Sequence, residues 1–507
     1  MTLRPALRGK TETQNRGVAD HGQNLVYKHG SKSMQYKWVV LTVTGVGMLM
    51  AGINMRVVTI GLPTIATALS ADLETILWVT QAYQFMVTIA LLVVGRLTDM
   101  FGKVRIYNLG FAIFTVGAVC CSFSQSGEQL IVSRLIQGLG SAMLVANSVA
   151  LITDATPLAQ LGFAISINQI VFRAGSVIGL TLGGALIQLA GWRSVFYMNI
   201  PVGIFGTLWA YVRLKEVGRP SPHEKFDLGG FITFTVALTA LLLAATLGTM
   251  DPGYIPLTAA LATVSVISFV LFILQERRTV HPILDLRMFS NRIFAAGNAS
   301  VLLMALAMGA LTLIASIYLQ VIQGYGALET GLVFIPMEIA FVTIGPISGS
   351  LSDRYGPRAL TTAGLGTLAI SLFMISGIPE NVSPWNIAVI LALAGVGLGL
   401  FSAPNMSTMM RTAPAERRGV ASAIRSTIFN SGIVISISLV AAILVTEMPY
   451  ATASGMISGQ LGTVTVAEQI SFLDGIRKAF LISGFLSLIG MIPSALENPK
   501  DQSHANA

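Results

Sequence analysis

The sequence predicts an all-α integral membrane protein of fourteen transmembrane helices, arranged as two six-helix bundles with two further helices inserted between them. Three observations carry this. Apolar residues make up 53% of the 507-residue chain and charged residues only 11%, against about 25% charged in soluble domains. Apolar windows of about 20 residues, the length that crosses a bilayer core, recur along the whole chain. A polar loop at 95–105, Gly-Arg-Leu-Thr-Asp-Met-Phe-Gly-Lys-Val-Arg, is echoed by Gly-Ser-Leu-Ser-Asp-Arg-Tyr-Gly-Pro-Arg at 349–358, with Gly349 placed 254 residues after Gly95. Pro157, Gly162 and Ala164 recur as Pro414, Gly419 and Ala421, 257 residues on. Two landmarks with nearly one offset indicate an internal duplication of half the chain.

In order, the windows are 38–68, 75–97, 106–123, 129–153, 162–189, 194–214, 228–248, 255–275, 293–320, 331–351, 359–378, 385–408, 419–446 and 477–496. The expected organisation is a basic tail at 1–36 without fixed structure, a bundle at 37–214, a linker with two extra spans at 215–292, a second bundle at 293–496 and a tail at 497–507. The 1–36 stretch has no apolar signal-peptide core, which makes the first span an uncleaved anchor. An even number of spans puts both ends of the chain on one side. That side receives 24 of the 31 lysines and arginines, the other only Arg193, Arg477 and Lys478. The positive-inside rule then places both ends in the cytoplasm, and the formal charge of +8 reflects membrane topology rather than nucleic-acid binding. Trp38, Trp78, Trp192, Trp209 and Trp385 fall near span ends, as an interfacial belt requires. The 50 glycines suit helices packed backbone to backbone in lipid. Cys120 and Cys121 are adjacent in one span and read as small packing residues. The long outer loop at 447–475 has no evident role.

In the first loop, Asp99 precedes a helix expected to start near Ile106, where its carboxylate meets free N–H groups and the positive end of the helix dipole. Gly95 and Gly102 permit close helix approach and a sharp turn, and Lys103 and Arg105 hold the loop on the basic side. A connecting loop that only sets topology is the alternative, and the second copy, with Gly349, Asp353, Arg354, Gly356 and Arg358, argues against it. The paired loops resemble the signature between helices 2 and 3 of each half in the major facilitator superfamily. The resemblance covers nearly the whole chain after residue 36. Met100 and Val104 stand where that signature usually has basic residues, so Asp353 is expected to be the more sensitive of the two aspartates.

Fourteen helices rather than twelve resemble the drug:proton antiporter, or multidrug exporter, branch. Gly191-Trp192-Arg193-Ser194-Val195-Phe196-Tyr197-Met198-Asn199-Ile200-Pro201-Val202-Gly203 is similar to that branch's approach to helix 6. The stretch 134–142, Arg-Leu-Ile-Gln-Gly-Leu-Gly-Ser-Ala, resembles its helix 4 motif, which implies that Arg134 takes part in proton coupling. An arginine reaching back to the nearby interface is the plainer alternative. Gly175, Gly179, Gly183 and Gly184 match the antiporter motif of helix 5, with Leu180 in place of the usual proline. The same spacing also fits ordinary close packing. Asn54 stands in a helix 1 motif that commonly carries an aspartate, so proton binding there does not carry over.

Ionisable groups in mid-membrane usually face a cavity or a partner. Glu338 is the one acid within the windows, against Arg56, Arg134, Arg173 and Arg425. A proton carrier needs a carboxyl whose titration is adjusted by burial and by a neighbouring cation. A permanent ion pair is the alternative for Glu338. Arg173 has Asn168 and Gln169 one turn away as expected partners, while Arg425 fits an interfacial position. The histidines all fall outside the windows. No phosphate-binding Gly-x-x-x-x-Gly-Lys-Ser/Thr loop and no His-Glu-x-x-His metal motif occurs, so no enzyme, cofactor or metal site is expected. The function classes left are a secondary transporter in the lipid bilayer and a non-transporting receptor or scaffold on the same fold. The resemblance implies a plasma-membrane transporter that exports small amphipathic compounds, using protons or another coupling ion. The excess of arginine also fits an anionic metabolite.

Overall fold

The computed structural model describes residues 30–156, 161–216, 227–247, 254–279, 284, 286–309, 311–379, 382–413, 418–449, 452 and 465–496. These form fourteen long helices: α1 (Gly30–Leu69), α2 (Leu73–Phe101), α3 (Lys103–Phe123), α4 (Gly127–Ala155), α5 (Leu161–Ala190), α6 (Ser194–Arg213), α7 (Leu228–Leu247), α8 (Ile255–Arg278), α9 (Arg292–Ile322), α10 (Ala327–Tyr355), α11 (Pro357–Ser376), α12 (Pro384–Thr412), α13 (Arg418–Glu447) and α14 (Val466–Ser494). Thirteen are long and apolar enough to cross a membrane. The other, α2, has 29 residues, about 43 Å at helical rise.

The packing repeats. Within the first half α1 lies on α5, α3 on α4 and α6, and α2 on α4; within the second α9 lies on α13, α11 on α12 and α14, and α10 on α12. Cross-bundle packing runs through α5 with α10 and α2 with α13, and the hairpin of α7 and α8 rests against α2 and α13. The two signature loops lie on the same face, the one where α1 begins. There the phenol of Tyr36 accepts from Lys215 N, and Lys103 Nζ donates to Asp154 at 2.6 Å. This is called the basic face below, and the opposite one the neutral face.

The bundles meet unequally along their length. Toward the neutral face one apolar cluster spans both, including Val57, Ile60, Leu180 and Ile187 with Leu313, Val333, Ile437 and Leu444. Toward the basic face each bundle keeps its own cluster: Val40, Tyr107, Phe111 and Leu151 in the first, Phe294, Met409, Ala421 and Ile424 in the second. A Cβ on Gly184 would lie 2.6 Å from Ala327 O and one on Gly331 2.3 Å from Leu180 O, whereas Gly95 and Gly345 face open space. The bundles are thus closed at the neutral face and part toward the basic face.

Several boundaries differ from expectation. Helix α1 begins at Gly30 and enters the 30–36 stretch expected to lack structure; the rest of that tail, residues 497–507, and 450–451 and 453–464 of the 447–475 loop lie outside the described residues. Helix α14 starts eleven residues before the predicted 477, because Thr465 and Glu468 form a capping box: Thr465 N donates to Glu468 Oε2 at 2.7 Å and Glu468 N to Thr465 Oγ1 at 3.3 Å. Trp192 is buried edge-on against Phe196 rather than exposed in a belt.

Candidate functional site

The closest approach of the two bundles fixes the charged centre. Because Gly184 and Gly331 let α5 and α10 touch backbone to backbone, Arg173 and Glu338 face each other across the crossing, with Arg173 Nη1 3.7 Å from Glu338 Oε2. Among the described residues this is the one ion pair joining the bundles. Glu338 is 1% exposed, and neither carboxylate oxygen has a hydrogen-bond partner. The guanidinium of Arg173 also lies over the Phe341 ring, 3.7 Å from its centroid. The partners expected from the sequence are absent: Asn168 accepts from Ser148 Oγ at 3.1 Å, and Gln169 is exposed. A buried carboxylate is well held only when paired and hydrogen-bonded. Glu338 has the pairing without the hydrogen bonds.

A second bridge occupies the matching place on the other side. Gln84 of α2 donates through Nε2 to Asn430 Oδ1 of α13 at 2.5 Å. Glu338 stands 254 residues after Gln84, and Asn430 257 after Arg173, the two offsets of the duplicated landmarks. The neutral pair and the charged pair are copies of one contact. Beside it Thr246 of α7 donates to Gln81 Oε1 at 3.2 Å, and Ser438 of α13 approaches the same oxygen at 3.5 Å.

Inside the first bundle, Arg134, Gln137, Asn54 and Asn199 form a buried chain. Arg134 Nη1 donates to Gln137 Oε1 at 2.7 Å, Gln137 Nε2 to Asn54 Oδ1 at 3.0 Å, and Asn54 Nδ2 to Asn199 Oδ1 at 2.8 Å. Arg134 stacks over Tyr83 at 4.4 Å from the ring centroid, and Tyr83 Oη donates to Ser141 at 2.6 Å. At 2% exposure Arg134 does not reach back to the interface, which removes that alternative. Asn54 thus holds a structural junction between α1, α4 and α6. Arg56 is also buried; its Nη1 donates to Thr312 Oγ1 on α9, while its Nε has no partner. The two residues are 256 apart, so they meet near the axis relating the halves. Arg425, expected at an interface, donates through Nε to the buried Asn405 at 3.2 Å.

The glycine face of α5 is a packing face in this structure. Added Cβ atoms on Gly175 and Gly179 would lie 2.4 Å from Leu49 O and 2.6 Å from Ile53 O, and one on Gly183 2.4 Å from Val57 Cγ2, all on α1. Both signature loops turn on a glycine in the left-handed region, Gly102 (φ 99°) and Gly356 (φ 87°), whose N–H groups bond Thr98 O and Ser352 O. Helix α3 begins at Lys103 rather than Ile106, and its first N–H groups are taken by Glu216 from the end of α6, at 2.8 Å to Lys103 N and 3.0 Å to Val104 N. The part of anion at that helix start, expected for Asp99, is filled by Glu216. The side chains of Asp99 and Asp353 lie outside the described residues. Arg105, Arg354 and Arg358 are exposed. Gly95, expected to allow close approach, meets nothing within 4 Å, and Gly349 meets only Ala403 of its own bundle.

Two duplicated helical bundles, closed on one face and bridged by buried polar pairs, define a multi-pass membrane transporter. The chain belongs to the Major Facilitator Superfamily, whose family model matches residues 44–437. It is 32% identical over 397 residues to the riboflavin transporter RibZ of Clostridioides difficile, covering 78% of this chain and 86% of that protein. It is also 32% identical over 389 residues to the multidrug resistance protein Stp of Mycobacterium tuberculosis, covering 76% and 72%. In fold it resembles the crystal structure of a bacterial homologue of the human lysosomal transporter Spinster in an inward-facing, unoccupied conformation. The TM-score is 0.64 at 16% identity, over 91% of this chain and 97% of that one.

Proposed function

We propose that this chain is a proton-coupled exporter of small amphipathic organic compounds, working by alternating access between bundles bounded at 37–214 and 293–496, with the α7–α8 insertion between them. The basic face lies in the cytoplasm of a plasma-membrane protein with both ends inside, and the open basic half is then the inward-facing state. Glu338 carries the proton and Arg173 holds its charged form, so protonation loosens the bridge between the bundles. Arg134, Asn54 and Arg56 shape the cavity wall. Asp99 and Asp353 in the signature loops close the basic face when the bundles rock.

The observation that supports this reading is Glu338, a buried carboxylate at the bundle crossing with an ion-pair partner and no hydrogen bond. The multidrug-resistance relative supports the export direction. A second reading, an exporter or exchanger of an anionic metabolite, is favoured by the buried Arg56 and Arg134 and the half-buried Arg173 set against one glutamate. Efflux from proteoliposomes of cationic, neutral and anionic compounds, with and without a pH gradient, tests the function. Gradient-driven movement of cationic or neutral compounds is the expected result. Movement of anions alone, indifferent to the pH gradient, would replace the first reading by the second.

A further inference from the structure

We infer that the cavity between Arg56 and Arg134 binds a compact monovalent anion, either a free halide or the carboxylate head of a larger compound. The cavity holds about 40 Å³ open to the centre of a water-sized sphere, and both bundles line it through Arg56, Thr59, Tyr83, Gln84, Arg134 and Thr312. Its other walls are mainly apolar, among them Val58, Leu313, Ile433 and Ile437, so charges act strongly across it.

Two cations face this space without an ion-pair partner, with Glu338 attracting Arg56 only at longer range. No carboxylate lines it, and among the described residues neither Arg56 nor Arg134 makes an ion pair. Glu338 is engaged with Arg173 instead. Arg134 commits Nε to Val79 O and Nη1 to Gln137. Arg56 commits Nη1 to Thr312, which leaves its buried Nε–H unused. A guanidinium does not lose its proton at accessible pH, so this buried charge cannot be relieved by titration, and burying it without a paired anion is unfavourable. An anion relieves it and accepts the unused N–H. Since a water needs roughly 10–15 Å³ of such space, the cavity admits about three non-hydrogen atoms, which fits a halide or a carboxylate and excludes a whole drug-sized molecule. The inference is independent of proton coupling and of export.

Chloride-35 NMR line broadening on the full-length protein in nanodiscs, with sodium sulfate, whose anion is too large for the cavity, holding the ionic strength, reads binding without transport. Saturable excess broadening is expected. It should weaken about tenfold or more in Arg56→Gln and persist in Arg56→Lys, which keeps the charge and reports on folding. Arg425→Gln, whose guanidinium is engaged with Asn405, should behave as wild type. Added acetate that competes chloride away assigns the site to carboxylates as well; chloride binding untouched by acetate restricts it to halides. No chloride broadening beyond the sulfate control together with no acetate-induced rise in thermal stability, or equal broadening in Arg56→Gln and wild type, would overturn the assignment.

Discussion

The two bridges between the bundles occupy equivalent places and are built from opposite chemistry. On the α2–α13 side, Gln84 and Asn430 form a short hydrogen bond between neutral amides. On the α5–α10 side, Arg173 and Glu338 stand 3.7 Å apart with both carboxylate oxygens unbonded. An amide pair is satisfied at any pH. A buried ion pair lacking hydrogen bonds is sensitive to its own spacing. A duplicated fold that kept both contacts neutral would have no charged link between its halves, so the asymmetry is where the proposed coupling would enter.

Breaking the charged copy from one side should have the largest effect. Arg173→Gln strands the Glu338 carboxylate, and loss of one partner of a buried pair costs about 3–5 kcal/mol, read as a fall in thermal stability of the purified protein. The double variant Arg173→Gln with Glu338→Gln rebuilds the neutral amide chemistry of the other copy and should recover most of that stability. If the double variant is no more stable than Arg173→Gln, the two bridges are not equivalent.

A second contrast separates the closed and open halves. Gly184→Ala sets a methyl 2.6 Å from Ala327 O, whereas Gly95→Ala enters open space. Overpacking a close contact costs about 1–3 kcal/mol. Gly184→Ala should therefore shift the bundles away from this closed neutral face and raise labelling of cysteines placed along it, with Gly95→Ala lacking that effect. Equal labelling in both variants would mean that the packing at Gly184 does not hold the face shut.

The smallest expected effect distinguishes the two signature loops. After Gly102 the chain presents the N–H groups of Lys103 and Val104, which Glu216 accepts; after Gly356 it presents Pro357, which has no N–H to satisfy. Glu216→Gln should lower stability by about 1 kcal/mol in a thermal melt, and less in 1 M salt than without it if the charge matters. Among transport effects at the loops, Asp353→Asn is expected to reduce flux more than Asp99→Asn at equal surface level.

Fourteen helices and the duplication were legible because window hydropathy and repeated loops are local signals. The start of α14 was legible too, in the Thr465-to-Glu468 capping spacing, although hydropathy alone placed it at 477. Glu216 could not be read as the cap of α3, since it arrives from 113 residues downstream and a lone glutamate after a span carries no signal of its partner. Glu338 and Arg173 were visible singly as charges in apolar runs. Their pairing was not, nor was the role of Gln84 and Asn430, because amides leave no mark in a hydropathy profile. The offsets of 254 and 257 residues, applied to Glu338 and Arg173, point straight to Gln84 and Asn430.

The central claim is that Glu338 makes the charged bridge a proton switch. Substrate movement in proteoliposomes of wild type and Glu338→Gln, with and without an imposed pH gradient, tests it most directly. Glu338→Gln should lose gradient-driven accumulation and keep part of its substrate exchange, since exchange requires no net protonation cycle. A Glu338→Gln protein that still concentrates substrate under the proton gradient would contradict the account.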